Sequence, residues 1–421
     1  VFIQSYLAFC SIFPKVEQIM ESHAQSVEDN LIDSLSFKLR PGASYVTDRR
    51  SCSYFSQGNQ FSPAGVKVIK MQLNSADGWL DPSTVKLFMN IKNDSGAPIT
   101  PRVAGAWGMF SRLRVLCSGA ICEDIDLYGR LHQQFDMMRP ADKRENDAIE
   151  GFGANDALAP GKERVVAFTP MSGLLTNNNK YLPVKYAPLV LELSLVSSAD
   201  EAFSGDSPAF TLSDVQLKAD LVTLDNSLDN EYSSHLLEGK TLPIHFSTFT
   251  TASQVLTNLN STVNVSRALT RLKGVYVSLS TDNAGAKEVN NFYHPMGGAY
   301  DKDKEISFEM QIGAKKYPEY PMQSASEQFY QLRKSLSIHD VNAQMDISAN
   351  DYRNDKFVIG VDTQKVNGAS FSGYNSKSGD LTVLRMKPLG NATLAGNCKI
   401  HYVLHYDSIM NIKDSGVEIL E

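Results

Sequence analysis

A few groups of residues have types and spacings that could do chemistry. His401 and His405 stand four apart, a separation that suits a pair of metal ligands. Yet Ile400, Tyr402, Leu404 and Tyr406 alternate around them as in a strand, so both imidazoles share one face with Val403 between. No third ligand or carboxylate partner accompanies them, and an ordinary surface or core role is expected. Glu123, Asp124 and Asp126 imitate a catalytic carboxylate set. They are expected in a bend before a helix starting at Leu127, where negative charge suits the helix N-terminus. Gly151-Phe152-Gly153 opens a glycine pattern, but Asp156 takes the third glycine position and no strand-to-helix context surrounds it. Metalloprotease HExxH, P-loop and GxSxG patterns are absent from the sequence. No catalytic, cofactor-binding or metal-binding residue can therefore be named, no cofactor is implied, and a non-enzyme is expected.

The five cysteines (Cys10, Cys52, Cys117, Cys122, Cys398) are odd in number and sparse, unlike a disulfide framework. Cys117 and Cys122 are close, but Ser118-Gly119 between them suggests a bend, and reduced thiols are the default. Sequons at Asn93, Asn260, Asn264 and Asn391 have no secretory signal to support their use.

The chain has 421 residues, enough for two domains of roughly 200 residues. Apolar residues make up 42% and charged residues 21%, which excludes a disordered or fibrous chain. The net charge is −7, and basic residues come only in scattered pairs such as Arg49-Arg50 and Lys315-Lys316. Without a basic arm or face, direct sequence-specific nucleic-acid binding is not expected. No run of about 18 apolar residues occurs, so no spanning helix is expected. Residues 1–13 are apolar and Pro14 interrupts them. That stretch is too short to span a bilayer and lacks the basic start and cleavage site of a signal peptide. Phe2, Tyr6, Phe9 and Phe13 at helical spacing suggest a segment packed under the main body, with an arm touching a membrane or a neighbour as the second reading. The start at Val1 leaves processing or a partial gene open.

The elements that would position any site are mostly strands. In 84–92, Val85, Leu87, Met89 and Ile91 alternate with Lys86, Asn90 and Lys92. The pattern recurs in Leu189–Leu195, Val215–Leu221, Ile306–Ile312 and Ile400–Tyr406. In 66–73 the phase slips between Val68 and Ile69, as at a bulge. Turn residues separate the runs, for example Ala76-Asp77-Gly78, Asn93–Gly96, Asp282–Gly285 and Ser376–Asp380. Such punctuation favours a sandwich or barrel. Helices are few: 226–238 with Gly239 as its stop, 324–337 opening on a Ser324…Glu327 capping box, and 127–138 with Leu127, Leu131, Phe135 and Met138 aligned.

Their spacing repeats. A strand near Arg112–Cys117 precedes the helix at Leu127, and a strand from Glu305 precedes the helix at Ser324. The offsets are 305 − 112 = 193 and 324 − 127 = 197. Beyond a 30-residue arm the midpoint is (31 + 421)/2 = 226, where the 226–238 helix begins. Two similar β units joined by a short helix are what a duplicated fold produces. The polar stretches 139–162 and 342–354 show little periodicity and are expected as long surface loops.

The stretch 312–336, with Gly313, Tyr317-Pro318-Glu319, Pro321, Glu327, Phe329 and Tyr330, resembles a segment of the major capsid proteins of polinton-like viruses, virophages and related eukaryotic double-stranded DNA viruses. Trp79-Leu80-Asp81-Pro82 and Ser213–Leu237 are similar to members of the same group. The resemblance implies an all-β fold of two tandem eight-stranded jelly rolls. Its divisions would be an arm (1–30), a first roll (31–225), a linker helix (226–240) and a second roll (241–421). It also implies homotrimeric, pseudo-hexagonal capsomers tiling an icosahedral shell in a virion assembled inside the host cell. Implied partners are neighbouring capsomers, penton and minor capsid proteins; contact with an inner membrane is an expectation from the apolar residues of 1–20, which the resemblance does not cover. The alternative is a carbohydrate-binding β-sandwich such as a viral fibre or spike, which a cluster of exposed aromatics with paired carboxylates would favour.

Overall fold

Alternation decides where most strands fall. Along Gly78–Asn93, Val85, Leu87, Met89 and Ile91 are buried, whereas Lys86, Phe88, Asn90 and Lys92 reach solvent. Burying each such aliphatic chain is worth about 1.5–3 kcal/mol, which fixes the register against a slip to the wet face. The computed structural model describes residues 45–421 apart from 154–155, 177, 282–286, 288, 290, 339–344, 346, 367–370 and 378–379. The expected arm (1–30), its segment 1–20, Cys10 and the turn at 282–285 lie outside the described residues, as does part of 342–354.

In the first half the strands are β1 (Val46–Phe55), β2 (Gln60–Phe61), β3 (Val68–Leu73), β4 (Gly78–Asn93), β5 (Thr100–Pro101), β6 (Phe110–Cys117), β7 (Ala120–Asp126), β8 (Glu163–Phe168), β9 (Leu189–Leu195), β10 (Phe203–Ser204) and β11 (Phe210–Leu224). The second half holds β12 (Leu242–Leu256), β13 (Ser261–Val265), β14 (Leu272–Thr281), β15 (Ile306–Ile312), β16 (Lys315–Met322), β17 (Ile359–Asp362), β18 (Thr382–Pro388), β19 (Cys398–Lys413) and β20 (Gly416–Leu420). The helices are α1 (Tyr128–Asp136), α2 (Ala141–Asp147), α3 (Ala199–Ala202), α4 (Asn226–Leu237), α5 (Ala325–Ser335) and α6 (Ala349–Tyr352).

The sheets repeat. The first half forms β1-β11-β4-β8, with β2 added on β11, facing β3-β9-β6-β7. The second forms β12-β19-β14-β17, with β20 added on β19, facing β13-β18-β15-β16. With the short β2, β5, β10 and β20 set aside, the described residues of each half form eight strands, and both halves place them in the order 1-8-3-6 over 2-7-4-5. That order is a jelly roll, and the fold is two of them in tandem. In each roll a helix follows the fifth strand: α1 after β7 and α5 after β16, their starts separated by 325 − 128 = 197.

Local chemistry explains the helix ends. The Asp225 side chain accepts from the Ser227 N–H at 3.1 Å and opens α4, which Gly239 closes at φ +77°. Ser324 Oγ accepts from the Glu327 N–H at 3.2 Å, and Glu327 reaches back to the Gln323 N–H at 2.6 Å. Trp79 docks α4 against the first roll, its ring 5.0 Å from that of Tyr232.

Three expectations change. Residues 66–73 contain no bulge: Val68–Leu73 pairs with Ser194–Leu189 without a shift, and the apparent slip arises because Val68 faces solvent, Val66 lying ahead of the strand. The stretch 139–162 is partly helical, because α2 is tied down by ion pairs of Arg139 to Asp136 (3.0 Å) and Asp147 (2.6 Å). Charge pairing, which hydrophobic periodicity cannot register, holds it. Glu123, Asp124 and Asp126 do not sit in a bend before the helix; all three belong to β7, which runs up to α1.

Candidate functional site

The strands β14 and β19 break the alternation and thereby mark the site. On β19, Ile400, Tyr402 and Leu404 fill the core of the second roll, yet His401 and Val403 on the opposite face are buried too. The first roll covers that second face. Phe135 on α1 sets its ring 5.1 Å from Phe249 on β12 and 5.1 Å from Tyr276 on β14. Arg130, also on α1, donates to Ser278 Oγ at 2.9 Å and to the Asn291 carbonyl at 2.7 Å. Thr251 on β12 donates to the Asp126 carbonyl, and Cys122 Sγ lies 3.7 Å from Met410 Sδ.

Within this seam the residues singled out in the sequence take definite places. His401 Nε2 lies 2.8 Å from Ser280 Oγ, a nucleophile-and-base pairing in outline. Burial, then the nearby Arg130 cation, holds the imidazole well below its ordinary value. Its Nδ1 has no hydrogen-bond partner, so no carboxylate orients the ring as a general base requires. The contact is a buried structural hydrogen bond. His405 stacks on Phe249 at 4.7 Å, and its pKa is lowered to about 4 by burial, with Lys273 adding to the effect. Among the described residues no cluster of three His, Cys, Asp or Glu side chains could hold a metal ion.

The acidic trio is split by strand alternation. Glu123 turns inward and is buried, accepting from the Gly173 N–H at 2.8 Å and from Ser172 Oγ. Burial pushes its carboxyl up, against the hydrogen bonds from Ser172, Gly173 and Leu174. Asp124 and Asp126 turn outward. Asp124 takes a two-pronged contact from Arg112 at 2.7 and 2.6 Å, and Asp126 lies 3.0 Å from the same guanidinium. The row continues across the sheet through Arg114, Glu192 and Lys70. These acids form an ion ladder along the outside of β3-β9-β6-β7, not a catalytic set.

Two clefts open beside the seam. One, of about 640 Å³, is lined by Phe110, Arg130, Glu201, Ser280, Lys287 and Lys399, among others. The other, of about 690 Å³, includes Phe135, His245, Phe249, Lys273, Phe371 and Asp407. Asp407 is taken up by Lys273 (3.3 Å), the Phe371 N–H (3.0 Å) and Ser247 Oγ, so it is no free base.

The remaining marked positions are ordinary. Cys117, Cys122 and Cys398 are buried free thiols, and Cys52 is a partly exposed one. Asn93 is fully buried, its amide donating to the Ala97 and Leu158 carbonyls at 2.9 Å, so that sequon is closed to a glycan in the folded chain. Asn260, Asn264 and Asn391 are exposed.

The sequence matches no protein-family model and no curated protein. Solved structures do resemble it. A chain of the PBCV-1 virus capsid aligns with a TM-score of 0.64 and 10% identity, over 91% of this chain and 99% of that one. The Faustovirus major capsid protein aligns at 0.60 and 7% identity, over 92% and 94%. The mavirus major capsid protein aligns at 0.52 and 9%, over 94% of each. At such identities the likeness is one of fold, and it runs nearly end to end in both partners.

Proposed function

We propose that this chain is the major capsid protein of an icosahedral double-stranded DNA virus, a shell-building subunit rather than an enzyme. The observation that carries the proposal is the repeated strand order, 1-8-3-6 over 2-7-4-5 in both halves, in a fold matched almost end to end by viral major capsid proteins. On this reading the chain divides into an arm (1–30), a first roll (31–225), a linker helix (226–240) and a second roll (241–421). Three copies form a capsomer. Two rolls side by side give an oblong footprint, and three footprints about a threefold axis enclose a pseudo-hexagon that tiles a facet. The head-to-tail contact closes at three copies, using up the complementary surfaces within the ring.

Capsomers then meet neighbouring capsomers, penton and minor capsid proteins in a virion assembled inside the host cell. Residues 1–20 serve contacts on the inner side of the shell, a membrane among them. The chemistry of the seam supports the non-enzymatic part. Glu123 and Asp407 are engaged by backbone amides and by Lys273, and the Ser280–His401 contact lacks an orienting acid.

Mass measurement in solution tests the proposal, with negative-stain imaging of the same sample. The expected species is a homotrimer with a hexagonal outline. A monomer or dimer that persists at micromolar concentration with the fold intact would contradict it.

A further inference from the structure

The two sheets of matching order differ in what covers them. On β12-β19-β14 the cross-strand row Phe249–His405–Gly274 lies beneath α1, which brings Phe135 to Phe249. On β1-β11-β4-β8 a row across strands of the same order reads Phe55–Gln216–Phe88–Ala167. Phe55 is 64% exposed, and Val165, beside Asn90 in the adjacent row, is 67% exposed. The Lys218 ammonium lies 4.5 Å over the Phe88 ring. Phe55 and Val165 are thus exposed apolar side chains on the two edge strands of this outer face, with Gln216 and the half-exposed Phe88 between them.

The covering element also exists twice. The first copy, α1, is used within the chain. The second, α5, packs Leu332 on Gly360 of its own roll and turns Tyr330 outward, 63% exposed. Tyr320, on the edge strand β16 that leads into α5, is also 63% exposed. Among the described residues, the β16–α5 corner presents exposed Tyr320 and Tyr330, and the outer face of β1-β11-β4-β8 presents exposed Phe55 and Val165.

We infer that the β16–α5 corner of one copy, led by Tyr320 and Tyr330, seats on the Phe55–Phe88–Val165 face of a second copy. The inference rests on the capsomer reading above and names the surfaces that would build it. Each roll is then covered by the roll before it, within the chain through α1 and between copies through α5. The contact is heterologous: corner and face are different surfaces, so a ring forms only when every copy supplies both. Large aromatic side chains at its centre suit anchor positions.

The test uses the full chain, with Phe55→Glu on the face and Tyr330→Glu on the corner as separate variants. Size and mass are measured at micromolar concentration, and far-UV circular dichroism reports the fold independently. The wild type is expected as a trimer, and each variant alone as a monomer with association weakened at least about 100-fold. An equimolar mixture is expected to give a one-to-one dimer and no trimer, since the sound corner of one variant fits the sound face of the other. Val165→Glu and Tyr320→Glu repeat the test should either first variant lose its fold. Variants that remain trimeric, or monomeric variants that fail to pair on mixing, overturn the assignment of these surfaces. A monomeric wild type instead overturns the capsomer reading itself.

Discussion

The guanidinium of Arg130 sits 4.2 Å above the ring of Phe292, so the first turn of α1, a helix of the first roll, makes a cation–aromatic contact with the second. The same group donates to Ser278 Oγ at 2.9 Å and to the Asn291 carbonyl at 2.7 Å. A planar cation with several donors and an aromatic-facing surface fills this place, and an ammonium cannot copy it.

Arg130→Ala is accordingly expected to lower the unfolding free energy by about 2–4 kcal/mol, from lost charge-assisted hydrogen bonds and the stack. Arg130→Lys should recover less than half of that. Urea unfolding followed by tryptophan fluorescence measures both. An alanine variant within about 0.5 kcal/mol of wild type would show that the seam does not depend on this contact.

Strands with one wet face were legible from sequence, because Val85, Leu87, Met89 and Ile91 on β4 are buried while their neighbours are not. The repeat was legible too, since α1 and α5 hold the expected offset in chain position. The seam was not. Along β14, Gly274, Tyr276, Ser278 and Ser280 form a small and polar face that suits a surface, yet all four are buried, beside α1 and neighbouring loops. The contacts responsible join residues far apart, 148 positions in the case of Arg130 and Ser278, and no local periodicity carries them. Phe135 shows the same limit. It aligned with Leu127, Leu131 and Met138 on one helical stripe, which does not reveal that it faces Phe249 and Tyr276 of the other roll.

Acid should loosen the fold well before carboxylates protonate. Burial holds the His132, His294 and His405 rings at about 4, below the ordinary value of about 6.5. As pH falls, the unfolded chain takes up protons first. The stabilisation is therefore fully present above pH 6.5, declines toward pH 4 and levels off below. Each ring contributes on the order of 3 kcal/mol across that window. Glu123, whose carboxyl is pushed up, works in the opposite direction, since its contribution is lost as pH rises. His405→Phe keeps an aromatic against Phe249 and should flatten the loss of stability between pH 7 and pH 5. An unchanged slope in that variant would remove His405 from the account.

The capping box of α5 gives a smaller, local effect. Ser324 Oγ accepts the Glu327 N–H, and Ser324→Ala leaves that donor without its partner. The expected loss is about 1 kcal/mol, read as a lower urea midpoint with the same denaturant slope. A changed slope would point to a wider rearrangement around α5.

The strictest steric demand at the seam falls on Gly173. A Cβ built there would lie 1.8 Å from the Ser247 carbonyl oxygen on β12 and 3.2 Å from Glu123 Oε1. The obstacle is backbone on one side and a buried, hydrogen-bonded carboxylate on the other, so neither can swing away as a surface side chain would. Gly173→Ala must therefore move the 172–174 turn off Glu123, breaking the Gly173 N–H contact at 2.8 Å, or push the two rolls apart. Either route costs at least about 2–3 kcal/mol through overpacking and an unmet buried acceptor. Gly96→Ala is the control, because a Cβ there meets nothing within 4 Å. It should change stability by no more than about 0.5 kcal/mol, or raise it slightly by stiffening the unfolded chain. Denaturant unfolding of the two variants beside wild type decides the matter: a Gly173→Ala protein as stable as the control would mean that the rolls do not approach each other this closely.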